Sequence, residues 1–216
     1  MGLISDFFEL LYPTCCPGCG EGTSPDTVWC EPCFRHIWDP RLIQTSRTAH
    51  LHGCYTLCNY EGPLRECIIQ LKYGGRTGRK QVFPPLLNRF PYWDRLEECE
   101  AIFPVPLSKK KKKERGYNQV DMMFEDWMTK RGLPYMADGL VRFRNTGTQS
   151  LLSRKERYNN IKGAFHINRD IQVQGKIVLV VDDVFTTGAT MEAVAHELRR
   201  AGAKKVLGLT IASGAL

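Results

Sequence analysis

The stretch that decides the fold is Ile177-Val178-Leu179-Val180-Val181-Asp182-Asp183-Val184-Phe185-Thr186-Thr187-Gly188-Ala189-Thr190. The apolar run Ile177 to Val181, mostly β-branched, describes a strand buried on both faces. It is expected to end in the two carboxylates. A loop of hydroxyl residues and glycine then opens a helix that carries Met191, Val194, Ala195 and Leu198 on one face and stops at Gly202. A last strand follows at Val206 to Ile211. Strand, helix and strand in that order imply a parallel sheet with right-handed crossovers. In an open α/β sheet ligands sit at the carboxyl ends of the strands, which is where this turn falls.

The turn has the parts of a phosphate cradle. Thr186, Thr187 and Thr190 offer hydroxyl donors, Gly188 lets the main chain approach closely, and the helix start presents unpaired N–H groups. Two acids beside such a cradle would repel a lone phosphate. They fit if the carboxylates accept hydrogen bonds from sugar hydroxyls while the loop holds a phosphate on the same sugar. The plainer alternative is a pair of solvated acids capping a helix. A nucleotide hydrolase would call for a G-x-x-x-x-G-K-[ST] loop, which the chain lacks. A response-regulator pocket would not explain the threonine-glycine loop.

This stretch resembles the motif of type I phosphoribosyltransferases that binds phosphoribosyl pyrophosphate (PRPP). The resemblance implies that Asp182 and Asp183 hold the ribose 2′ and 3′ hydroxyls. It also implies that the run Val184, Phe185, Thr186, Thr187, Gly188, Ala189 and Thr190 binds PRPP, its Thr186 to Thr190 part on the 5-phosphate. Magnesium would bridge pyrophosphate and ribose oxygens, and catalysis would stabilise an oxocarbenium-like centre by positioning and charge.

Outward from this motif the texture remains alternating strand and helix. Cys54 to Tyr60 reads as a strand, and Gly62-Pro63 opens a helix with Leu64, Cys67, Ile68 and Leu71 on its apolar face. Val82, Phe83, Leu86, Leu87 and Phe90 predict a second helix ending before Pro91. Ala101 to Leu107 predicts a buried strand, followed by a basic loop and a helix whose face is Val120, Met123, Phe124, Trp127 and Met128. Leu140 to Phe143 predicts another strand.

Upstream stands a head of different character. Cys16-x2-Cys19 and Cys30-x2-Cys33 are paired knuckles whose thiolates can close a tetrahedral zinc site, with Gly18 and Gly20 freeing backbone N–H groups toward sulfur. A closed four-thiolate shell leaves no open position for catalysis, so the zinc is structural. A thioredoxin-like pair would need a βαβ context that this region lacks. Cys15 adjoins Cys16 at a less usual spacing, and Cys54, Cys58, Cys67 and Cys99 read as core thiols. Ile4, Phe7, Phe8 and Leu11 fall at helical spacing before the knuckles.

The 216 residues are 43% apolar and 25% charged, a globular composition that excludes disorder as the default. No window approaches the roughly 20 apolar residues of a membrane span, and no signal peptide is evident. With nine cysteines, this points to a reducing cytoplasm. The net charge of +7 is unevenly spread. Residues 1 to 40 hold Arg35 against Asp6, Glu9, Glu21, Asp26, Glu31 and Asp39, which leaves +12 on the remainder. Much of that excess lies in Lys72 to Lys80, Lys109 to Arg115 and Arg142 to Lys162. Arg115-Gly116-Tyr117-Asn118-Gln119 follows the strand ending Pro104-Val105-Pro106-Leu107, again a strand-end anion position. Gly116 permits a tight turn there, and Arg115 can grip two phosphate oxygens.

The four-cysteine head, Lys72-Tyr73-x-Gly75, Pro104 to Leu107 with Arg115 to Gln119, and the PRPP motif together resemble the ComF family of bacterial competence proteins. So does the stretch Gln149 to Phe165, with Gln149, Leu152, Arg154, Arg157, Asn159 and Gly163-Ala164-Phe165. The run Lys109 to Lys113 departs from the more scattered basic residues of that family. The resemblance implies an α/β type I phosphoribosyltransferase fold over residues 46 to 216, with a short helix and zinc module over residues 1 to 45. It implies Lys72, Arg115, Asp182 and Asp183 as catalytic candidates, Gly116 in the pyrophosphate loop, and Gln149, Arg154 and Arg157 in a flexible loop that closes over PRPP. The implied activity is phosphoribosyl transfer from PRPP, with magnesium, to a nitrogenous acceptor, in a protein serving DNA uptake. The alternative is a non-catalytic factor binding single-stranded DNA or competence partners such as a DNA-uptake helicase, its PRPP site a sensor or remnant.

Overall fold

The computed structural model describes residues 14–24, 27–73, 75, 77–143 and 163–214. Among the described residues the head begins with a small antiparallel pair, β1 (Thr14–Cys15) and β2 (Gly22–Thr23), followed by helix α1 (Glu31–Ile37) and strand β3 (Trp38–Ile43). Next come β4 (Cys54–Asn59) and α2 (Gly62–Tyr73), which starts with proline in its first turn and buries Leu64, Cys67, Ile68 and Leu71 as the apolar periodicity requires.

The expected second helix is broken. A 3₁₀ turn covers Thr77–Val82 and a short helix, α3, covers Pro84–Asn88. Pro84 and Pro85 cannot donate to preceding carbonyls, so the helical ladder restarts at Phe83. Val82, Phe83, Leu86, Leu87 and Phe90 are nevertheless all buried.

After the 3₁₀ turn Trp93–Leu96, strand β5 spans Ala101–Pro104, shorter than the apolar run suggested. The basic loop expected next is a helix, α4 (Lys109–Arg115). Lysine is a good helix former, the Ser108 hydroxyl accepts from the Lys111 amide at 3.4 Å, and Gly116 closes the helix at φ 83°. Helix α5 (Gln119–Lys130) is capped by Asn118, whose side chain accepts from the Val120 amide. A hairpin-like pair follows, β6 (Leu140–Arg142) with β7 (Phe165–Ile167). The chain closes with β8 (Ile177–Phe185), α6 (Ala189–Arg200) and β9 (Lys205–Ser213).

The main sheet has the order β3-β4-β9-β8-β5. β4, β9, β8 and β5 are parallel, and β3 is an antiparallel edge paired to β4. Strand β8 does not end at the acids: Asp182 pairs with Thr210, Val184 with Ala212 and Phe185 with Ser213, because β9 is long enough to carry the ladder past them. One face of the sheet shares a core with α2, α3 and α5, to which Cys16, Val28, Trp29 and Phe34 of the head also belong. The other face is covered by α6 and the β6–β7 pair. The head is fastened by the Trp29 indole, which donates to the Val82 carbonyl at 2.8 Å, and by Arg89, which lies 4.3 Å above the Phe34 ring.

Candidate functional site

The carboxyl ends of β5 and β8 meet the last turn of α2 and the start of α5, and this junction gathers most of the residues singled out above. Asp183 is buried, and side-chain alternation along β8 directs it to the face covered by α2 and α5. Lys72, in the last turn of α2, donates to one of its oxygens at 2.9 Å, and the Gln119 amide donates to the other at 2.6 Å. Gln119 in turn accepts from the Arg115 guanidinium. Burial alone would pull the Lys72 ammonium down, but the Asp183 charge and hydrogen bond leave it above its ordinary value.

Asp182 alternates to the other side of the strand and accepts from the Asp183 amide at 2.8 Å. Burial and the neighbouring Asp183 charge push its carboxyl up to about 8, opposed by Lys72, the Asp183 amide and Arg142. Arg142, at the end of β6, is lowered by burial and partly restored by Asp182.

The anion side is an open cleft of about 390 Å³ lined by Lys72, Tyr73, Gly75, Lys111, Glu114, Arg115 and Tyr117. That volume lies in the range of small-ligand pockets. Tyr117 fixes one wall by donating to the Leu71 carbonyl at 2.5 Å. Folding the lysine run into a helix sorts its members. Lys111 faces the cleft, where partial burial and repulsion from Arg142, Arg115 and Lys72 hold it below its ordinary value, with Asp183 opposing. Lys110 instead lies 3.9 Å from Glu114, and Lys112 3.6 Å from Asp138.

Past β8, Thr186 is exposed and Thr187 half-buried, its hydroxyl accepting from the Ala189 amide at 3.4 Å. Gly188 has φ 75°, and a β-carbon there would lie 2.6 Å from the Phe185 ring, so glycine is required twice over. Phe185 and Ala189 are buried, and Val184 packs against the core, so these residues offer a ligand their main chain rather than their side chains. Gln149, Arg154 and Arg157, like the amphipathic segment around Phe7, lie outside the described residues. Sequence reasoning had not assigned Gln119, Lys111 or Arg142 individually. Arg115 ends one helix and Gln119 opens the next, so no helical spacing rule relates the two.

In the head, the Sγ atoms of Cys16, Cys19, Cys30 and Cys33 all lie within 4.8 Å of one another, Cys19 and Cys30 at 3.5 Å. A tetrahedral zinc with ordinary Zn–S bonds needs about 3.8 Å between sulfurs, so the donor set fits that ion. Burial works against the Cys16 thiolate, yet hydrogen bonds from the Cys30, Cys19 and Gly18 backbones bring its pKa down to about 6. Gly18 admits no side chain, since a β-carbon would lie 2.6 Å from the Cys33 sulfur. Cys54, Cys58, Cys67 and Cys99 are buried, as expected of core thiols.

A mostly parallel sheet in which an inner strand carries paired acids into a glycine-turned loop, beside a cationic cleft, defines a phosphoribosyltransferase-like protein. Residues 133–214 match the phosphoribosyl transferase domain family. Over 200 residues the chain is 32% identical to the DNA utilization protein YhgH of Escherichia coli K12, covering 88% of this chain and 86% of that protein. It is 35% identical to Competence protein F of Haemophilus influenzae, covering 88% of this chain and 81% of that one. Competence protein ComFC of Bacillus subtilis is 26% identical, with 87% and 72% covered. The chain belongs to the ComF family of competence proteins, with a type I phosphoribosyltransferase fold and an N-terminal four-cysteine module.

Proposed function

We propose that the cleft binds PRPP with magnesium and that the protein transfers its phosphoribosyl group to a nitrogenous acceptor, in the service of DNA uptake. The observation that carries this reading is the convergence of Lys72, Lys111 and Arg115 on one cleft beside Asp183. Such a place suits a ligand with an anionic arm and a hydroxylated ring. In this reading the main chain and hydroxyls of Thr186 to Thr190 hold the 5-phosphate, and Asp182 and Asp183 accept from the ribose hydroxyls. Lys72, Lys111 and Arg115 hold the pyrophosphate and stabilise the charge that grows on it as the C1–O bond breaks. Magnesium, when bound with the ligand, would add to the neutralisation of pyrophosphate charge that Lys72, Lys111 and Arg115 provide. Gln149, Arg154 and Arg157 would lie on the segment that closes over the ligand. The head, residues 1–45, is a module organised by one structural zinc on Cys16, Cys19, Cys30 and Cys33, and thiolate ligands of this kind suit a reducing cytoplasm. Isotope-labelled PRPP with magnesium and a panel of bases tests the activity: base-dependent pyrophosphate release is expected, and binding without release under every base refutes turnover.

A second reading has its own observation. Tyr73 and Phe143 are 74% and 58% exposed, and each lies against a cation of α4: Arg115 is 5.4 Å from the Tyr73 ring and Lys109 5.8 Å from the Phe143 ring. Exposed rings at both ends of a lysine helix suit stacking of bases with phosphates on the lysines. This would make the protein a single-stranded-DNA factor, docking with other competence proteins such as a DNA-uptake helicase. Affinity for a single strand should then fall steeply with salt, and weak or salt-insensitive binding refutes it.

A further inference from the structure

Asp183 is covered by two donors of the protein itself. Both oxygens accept a hydrogen bond, from Lys72 at 2.9 Å and Gln119 at 2.6 Å, and the side chain is 7% exposed. Each oxygen keeps a second lone pair, but with so little of the side chain exposed a sugar hydroxyl reaches it only where one of the two covering donors moves aside. Gln119 is locked from behind by Arg115. Lys72 is the movable partner: its ammonium is a point charge on a flexible stem, and the residue lines the cleft that adjoins the carboxylate. The cleft also supplies a reason to move. Lys111 is repelled by Arg142, Arg115 and Lys72, and Asp183 is the charge that opposes them there. A diphosphate entering beside Lys111 and Arg115 offers Lys72 two nearby anionic groups in exchange for one carboxylate.

We propose that Lys72 is a charge-exchange latch on Asp183. The diphosphate arm of a bound sugar draws the Lys72 ammonium off the carboxylate, and Asp183 then accepts the sugar's hydroxyl. The latch makes the site selective for a pyrophosphorylated sugar over its monophosphate. A ligand shifts such an equilibrium only by its differential affinity for the two positions. A sugar 5-phosphate seated on the Thr186 to Thr190 loop has no group that reaches Lys72, so it meets a latched Asp183. This rests on the reading of the cleft as a PRPP site.

The test is calorimetry on the full-length, zinc-loaded protein with magnesium, using PRPP, inorganic pyrophosphate and ribose 5-phosphate. In the wild type, saturating pyrophosphate is expected to raise ribose 5-phosphate affinity by about 5- to 150-fold, the usual range of coupling between sites. Lys72→Met should bind ribose 5-phosphate at least about 5-fold more tightly than wild type and PRPP more weakly. Lys111→Met, which removes a cleft charge that does not bond Asp183, should weaken PRPP with no gain for ribose 5-phosphate. A wild type that binds PRPP but shows no coupling overturns the latch alone, and so does a Lys72→Met protein with no gain for the monophosphate. A wild type that binds neither PRPP nor pyrophosphate overturns the cleft assignment and the latch with it. If Lys72→Met fails to fold, the wild-type coupling decides.

Discussion

Replacing Asp182 with asparagine should stabilise the protein, and increasingly so as pH rises. Burial and the Asp183 charge raise the Asp182 carboxyl from 3.8 to about 8. In the unfolded chain it ionises near its ordinary value, so between about pH 4 and 8 the folded chain keeps a proton that the unfolded chain has released. Stability therefore falls as pH rises through that window, by up to about 1.4 kcal/mol per unit, and levels off above the folded pKa. At pH 7 the ceiling on this destabilisation is about 4 kcal/mol, and relaxation around the ionised group brings the expected value nearer about 2 kcal/mol. Asparagine keeps an oxygen for the Asp183 amide, which lies at 2.8 Å, and carries no charge to desolvate. Urea unfolding of both proteins at pH 5, 7 and 8.5, at constant ionic strength, isolates the effect, because every other titrating group is common to the two. A stability gap that does not widen with pH, or a variant less stable than wild type at pH 8.5, refutes the reasoning.

Gly188→Ala places a β-carbon at φ 75° and 2.6 Å from the Phe185 ring; we expect a loss of about 1–3 kcal/mol in thermal unfolding, together with loss of PRPP binding by calorimetry. Lys111→Ala should weaken PRPP binding several-fold while Lys113→Ala, for which the cleft shows no lining role, leaves it unchanged. Metal analysis should find about one zinc per chain, and a strong chelator should lower the melting temperature; a metal-free protein with unaltered melting would contradict the four-thiolate site.

How much of this was legible beforehand depends on how local the cause was. Strand β8, its glycine turn and α6 were readable because propensity, periodicity and turn chemistry all act within about twenty residues. The length of β8 was not, because the ladder beyond Val181, from Asp182 to Phe185, is supplied by β9, whose pairing residues lie 28 positions further along. The lysine run was misread as a loop because like charges suggest a solvated coil, whereas Ser108 and Gly116 at its two ends decide for helix. That error concealed the sorting of Lys111 from its neighbours. The Lys72–Asp183–Gln119 network joins residues 111 and 64 positions apart, and no spacing rule reaches that far.

Helix α2 explains why a cysteine head and an anion cleft occur in one protein of this size. At its start, Pro63 lies against the first knuckle: a β-carbon built on Gly18 would be 3.2 Å from its ring, while the His36 imidazole approaches Gly62 at 3.4 Å from the same kind of test position. At its end, the Leu71 carbonyl accepts from Tyr117 and Lys72 reaches Asp183. The two ends are about 14 Å apart along a rigid rod. A helix pinned at one end only could shift along or about its axis, and a displacement of about 1 Å is enough to spoil a 2.9 Å ion pair. The head thus packs against the start of the same helix whose last turn carries Lys72 to Asp183.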